Sequence, residues 1–128
     1  MPHPFEIAAA RAEQFRESLK DRAPRPGIAA EALEARFAAA LPEQGAPADV
    51  IIEALAQAAD PGLVASSGRR FFGWIIGAAH EAAVAADWLT SAWGQNAGLY
   101  AASPSAAMAE KVSSRWLLEM LQLPEESA

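Results

Sequence analysis

Apolar side chains recur at three- and four-residue steps through most of this chain, the period of an amphipathic helix rather than of a strand. Phe5, Ala8, Ala12, Phe15 and Leu19 mark one side of a predicted helix over 4–22, with Glu6, Arg11, Glu13, Arg16, Glu17 and Lys20 on its other faces. Ala23-Pro24-Arg25-Pro26-Gly27 breaks it twice over. A stripe this narrow seldom stabilises a lone helix, so it is expected to dock on its own chain or on another subunit. Leu33, Phe37 and Leu41 predict a second helix over 29–41, closed by Pro42. Pro47 opens a third, because its missing N–H needs no partner in a first turn. Asp49 complements the dipole there, and Val50, Ile51, Leu55 and Ala58 or Ala59 read as the buried side. Asp60-Pro61-Gly62 is a turn signal that ends it.

The helical period then lapses. Ser66-Ser67-Gly68 supports an irregular loop, and Phe71-Phe72-Gly73-Trp74-Ile75-Ile76-Gly77 is a dense apolar run punctuated by two glycines. Such a run is either an extended segment buried on both sides or the wall of a pocket. The period returns over 78–93, with Val84, Trp88 and either Ala92 or Trp93 inward. Ser103 is placed to cap a last helix whose first residue is Pro104. Met108, Val112, Trp116, Met120 and Leu123 line one side of it, and Pro124 stops it. The predicted architecture is all-α: four to five helices and one extended aromatic–glycine link.

Composition sharpens this picture in one respect. Hydrophobic residues make up 52% of the 128, but many are alanines, and the large anchors include only five Phe, four Trp and one Tyr. That is a thin core for an independent domain, and it suits helices packed against a larger body. A net charge of −6 without a Lys/Arg cluster argues against nucleic acid as partner. The absence of cysteine removes disulfides and thiolate metal sites. No run approaches the ~20 apolar residues of a membrane span, and Met1-Pro2-His3-Pro4 does not read as a signal peptide. A cytoplasmic protein is the expectation. There is no Gly-x-Ser-x-Gly, Walker lysine motif or His-Glu-x-x-His, and Gly73-x-x-x-Gly77 is too common a spacing to signify a dinucleotide. His80 has no second ligand nearby in sequence, so it reads as a surface or packed histidine rather than a metal ligand.

Taken in order, the aromatic–glycine run, Asp87-Trp88-Leu89-Thr90-Ser91, the loop Gly94-Gln95-Asn96-Ala97-Gly98 and Ser103-Pro104 resemble the N-terminal region of the group II pyridoxal-phosphate-dependent amino-acid decarboxylases. This is the family of the aromatic-amino-acid and glutamate decarboxylases. The likeness is strongest over 68–124 and looser over 26–63, where the order helix, Leu-Pro, helix, Pro-Gly still agrees. It implies the N-terminal segment of a fold-type I enzyme whose α/β large domain lies outside this sequence. Residues 1–67 would then form a helical arm and dimer-contact region, and 68–128 a pocket-lining link with helices leading into the cofactor domain.

By the same resemblance Phe72, Trp74, Ile75, Ile76 and Gly77 fall on the substrate side of the active site, and Gln95 and Asn96 in a loop near the subunit boundary. Plain alternatives stand beside these roles: core packing for the aromatics, and closure of a helix C-terminus for the amide loop. Relatives commonly carry threonine where this chain has Gly77, and an apolar residue and a proline where it has His80 and Glu81. Asp87, Ser103-Pro104 and Glu110 match family positions that capping or structural hydrogen bonding also explains.

The resemblance further implies pyridoxal phosphate in the complete enzyme, an amino-acid substrate, and as partner either a second copy or a separate chain carrying the cofactor domain. That cofactor requires a lysine for its Schiff base and an acid against its ring nitrogen. Lys20 and Lys111 lack the family's His-Lys context, so no catalytic or cofactor-binding residue is expected here. A truncated product, half of a split enzyme and a domain reused for association all fit. The rival reading is a non-catalytic helical module that binds a protein partner through its Ala/Trp-rich faces.

Overall fold

The computed structural model describes residues 2–77 and 79–127. Among them there are five α-helices and no strand: α1 Pro4–Ser18, α2 Ala30–Phe37, α3 Ala48–Ala59, α4 Glu81–Trp93 and α5 Pro104–Leu121. Short 3-10 turns follow α3 and α5 at Asp60–Gly62 and Glu125–Ser127. The all-α expectation holds. The chain divides into two units, Met1–Ala78 and Ala79–Ala128.

In the first unit α3 is the central element, and both α1 and α2 pack on it. The α1 start is built as its sequence suggests, with an unexpected cap: His3 Nδ1 accepts from the Phe5 N–H (3.3 Å), while Glu6 accepts from the His3 N–H at 2.7 Å. The two bonds form a reciprocal capping box. The helix ends at Ser18, short of the predicted Arg22. Ser18 Oγ donates to the Phe15 carbonyl, and the Ser18 carbonyl accepts from the Asp21 and Arg22 N–H groups, which winds residues 19–22 into a turn. This frees the Arg22 side chain. It donates to the Asp60 carbonyl (3.0 Å), the Asp60 carboxylate and Ser18 Oγ, and its guanidinium lies 5.0 Å from the centre of the Phe15 ring.

Arg36 of α2 donates to the carbonyls of Gln57 (2.7 Å) and Ala58 (3.2 Å). Two arginines from neighbouring elements thus satisfy carbonyls at the C-terminal end of α3, which has no basic residue of its own in its last turn. The predicted end of α2 at Leu41 is not formed. Ala38 leaves helical geometry (ψ 51), and Leu41 stands 94% exposed with nothing to hold another turn.

The buried side of α3 also differs from the expected one. Asp49, Ile52, Glu53, Ala56, Ala58 and Ala59 are the partly covered positions, so of the expected residues only the alanines are covered, whereas Val50, Ile51 and Leu55 are about half exposed. The physical reason is ionic. Arg11 Nε donates to Glu53 (3.0 Å), and its Nη2 makes a second bond to the same carboxylate, which orients α3's Glu53 face toward α1. The more apolar stripe is left open. Arg11 holds the Glu53 carboxyl below its ordinary range, assisted by Gln57, and Glu53 in turn raises the guanidinium. A depressed carboxyl contributes stability above its unfolded pKa of about 4.3 and loses it as pH falls through the folded value. Acidification below about pH 4.3 is therefore expected to loosen α1 from α3. Amide exchange in α1 should report this, and Glu53→Gln should flatten the pH dependence. Both side chains are about one-third exposed (37% and 35%), so the effect is modest and screened by salt.

The second unit holds α4 and α5. The expected first position of α4, Ala78, lies outside the described residues. His80 is the N-cap rather than a helical residue, its Nδ1 accepting from the Ala82 N–H (3.2 Å). Ser103 caps α5 as expected, accepting from Ala106 N–H, and is 1% exposed. The α5 helix closes with Gln122 in the left-handed region (φ 53), as the Leu123 N–H donates to the Leu118 carbonyl in a Schellman arrangement. Among the described residues only Ala65 and Ser103 are buried. The apolar faces of α3, α4 and α5 stay open. No described helix is long and apolar enough to cross a membrane.

Candidate functional site

The link ahead of α4 is irregular, and it bends. Gly68 sets the base: its N–H donates to the Ala65 carbonyl (2.9 Å), and its own carbonyl accepts from the Phe71 N–H (3.1 Å). The Phe71 ring lies over Gly73, where a Cβ would come within 3.1 Å of Cζ, and meets Trp74 edge-on at 5.5 Å. Trp74 and Ile75 then adopt left-handed backbone (φ 58 and 52). That conformation is uncommon for any residue with a Cβ and an outlier for a β-branched one. Its consequence is presentation. Phe72 is 94% exposed, Trp74 73% and Ile75 105%, while Phe71 is partly covered.

Ile76 and Gly77 complete the link and are also exposed. A side chain at Gly77 would meet nothing within 4 Å, and this glycine is not in the left-handed region. Neither space nor backbone in this unit requires glycine there.

Gln95 and Asn96 belong to the second unit, in the loop after α4. Gly94 takes the left-handed C-cap position (φ 57), its N–H donating to the Thr90 carbonyl. The Gln95 side chain folds back to donate to the Trp93 carbonyl (2.9 Å), and Asn96 Oδ1 accepts from the Gly98 N–H (3.0 Å). Helix closure and loop shaping account for one contact of each amide. The remaining donors of both face solvent, since both residues are exposed.

The Arg22–Asp60 and Arg36–α3 contacts leave no signal in the sequence. The partners lie 38 and about 21–22 positions apart, and no local pattern announces such pairs.

Pyridoxal phosphate, the cofactor implied by the resemblance, needs a lysine amine, an acid for the ring nitrogen and donors for the phosphate in one enclosed place. The described residues do not fit it. Lys20 is exposed beyond the end of α1, and Lys111 is exposed on α5 in an open groove with Glu110, Ser114 and Arg115. Among the described residues no three His, Asp or Glu side chains are grouped to hold a metal ion. What the link offers chemically is an exposed apolar surface, and the amide loop, in the other unit, offers hydrogen-bond donors and acceptors.

Comparison with known proteins agrees with the order of these parts. Tryptophan decarboxylase 1 of Oryza sativa subsp. japonica is 30% identical over 99 residues, which are 77% of this chain and 19% of that protein. The chain thus spans about a fifth of the length of the curated relative it matches. No solved structure matches it. The pyridoxal-dependent decarboxylase conserved domain matches residues 30–128, which take in α2 to α5, the link and the amide loop, and the chain belongs to that family.

Proposed function

We propose that this chain is the N-terminal part of a pyridoxal-phosphate-dependent amino-acid decarboxylase. It contributes subunit contacts and part of the substrate-pocket wall and has no covalent catalysis of its own. The observation that carries this reading is the 71–77 bend, which holds Phe72, Trp74 and Ile75 away from the packing of their own unit. A fold that spends unfavourable backbone geometry to expose three large apolar residues is shaped for a surface other than its own.

In the complete enzyme the bound cofactor supplies the electron sink. This chain's residues act on the other side of the reaction. A dry wall of Trp74, Ile75 and Ile76 excludes water and disfavours the localised charge of a substrate carboxylate relative to a transition state in which that charge is spread. Gly77 leaves room beside the wall, and the free amide donors of Gln95 and Asn96 are suited to orienting a polar group. Family membership favours this reading over a free-standing association module.

A titration tests it. Alone, the chain is expected to take up no pyridoxal phosphate. Combined with a polypeptide carrying the cofactor domain of the same enzyme, it should restore cofactor absorbance and release carbon dioxide from an amino acid. Near-equimolar uptake by the chain alone would disprove the division of labour. A combined sample that releases no carbon dioxide from any amino acid would disprove the activity.

A further inference from the structure

The bend is held from an unexpected direction. The Ala65 N–H donates to the Pro24 carbonyl (3.3 Å), and Arg70 Nη2 donates to the Arg22 carbonyl at 2.8 Å across 48 positions. A Cβ at Gly68 would stand 3.4 Å from the Leu19 carbonyl oxygen and 3.0 Å from that of Ala65. Residues 19–24 therefore lie directly against 65–70, and Ala65, 3% exposed, is sealed in this seam. The seam is anchored in turn, because the Arg22 side chain is bound to Asp60 and Ser18. Residues 19–24 precede the family-matched span, which begins at 30.

We propose that residues 19–24 are a positioning clamp for the 71–77 bend, with Arg70 as its key positioning residue. A left-handed Trp-Ile pair persists only where its surroundings over-determine it. The edge-on contact between Phe71 and Trp74 acts at the bend itself, and the clamp fixes the strand of chain from which the bend departs. Arg70 carries that restraint to within one residue of Phe71. Its functional half, that the clamp sets how the wall meets substrate, rests on the pocket-wall reading above.

Hydrogen exchange on the full chain tests the clamp without substrate or cofactor. Arg70→Met should speed exchange of the Ala65, Gly68 and Phe71 amides about tenfold, equivalent to ~1.4 kcal/mol, and leave α3 unchanged. Arg70→Lys keeps one donor within reach and should restore part of the protection. Gly68→Ala, which presses on the Leu19 and Ala65 carbonyls, should give the same local signature by a different route. Wild-type exchange in Arg70→Met, or acceleration spread evenly through α3, overturns the clamp.

In the complete enzyme Arg70→Met should raise KM severalfold with kcat retained, and Arg70→Lys should fall between it and wild type. Trp74→Ala separates the two ideas. If it shifts KM and Arg70→Met does not, the functional half of the clamp is wrong while the wall stands. If Trp74→Ala changes neither kcat nor KM, the pocket-wall reading falls.

Discussion

Purified alone, the chain is expected to sediment as an oligomer at micromolar concentration, and paired charges on α5 should return it toward monomer. Trp116 is 64% exposed and Met120 71%, with Leu117 and Leu121 beside them on the same helix. An apolar strip of this kind on a free surface marks a place where another surface belongs. Covering the exposed part of one tryptophan alone contributes about 2–4 kcal/mol at ~25 cal/mol per Å2. By the usual conversion that is more than tenfold in an association constant. Trp116→Glu with Met120→Lys removes two anchors and keeps good helix formers in the α5 interior, so far-UV circular dichroism should hold while association weakens by more than tenfold. Sedimentation of the unsubstituted chain as a well-behaved monomer would contradict the premise that these faces await a covering body.

Three helix starts were legible because each rests on a local signal: Pro4, Pro47 and Ser103-Pro104 mark them within one residue, whereas α4 begins three residues after its expected start. The ends at Asp60 and Gly94 were legible for the same reason. What was not legible depends on distant partners. The period of α3 singles out Val50, Ile51 and Leu55, yet the face turned to α1 is chosen by Arg11 and Glu53, 42 positions apart. Leu41 continues the helical period of α2 but finds nothing to pack on, and a period without a partner does not make a turn.

The link shows the same division. Gly73 and Gly77 advertise a break, but the positive φ angles fall on Trp74 and Ile75, where propensity argues against them. Neither histidine advertises itself as a cap, since imidazole at an N-cap is less common than the side chains of Ser, Thr, Asp or Asn. As for the candidate site, its residues could be named from the resemblance. Their presentation, with Phe72 turned out and Phe71 folded over Gly73, is a product of the bend.

Arg22→Ala should cause the largest loss of stability of any single charged-residue substitution in the first unit, about 1–2 kcal/mol. Exposed ion pairs are commonly worth less than ~1 kcal/mol, and Asp60, with its side chain 56% exposed, would by itself belong to that class. Arg22 differs in being only 20% exposed and in serving several partners at once. Its guanidinium satisfies an α3-end carbonyl and carboxylate, holds Ser18 Oγ where α1 stops, and covers the face of Phe15. Removing it takes one of two donors from the Asp60 carbonyl, which keeps the Leu63 N–H, and it uncovers Phe15 and releases the turn whose own carbonyl receives Arg70. The loss should therefore appear twice, as a lower denaturation midpoint and as faster exchange at Ala65 and Gly68. Arg22→Lys should recover little, because an ammonium cannot bridge the carbonyl, carboxylate and hydroxyl in one plane or stack on the ring. Full recovery by lysine would mean that charge alone matters at this position, and the coupling from α1 through Arg22 to the bend would have to be abandoned.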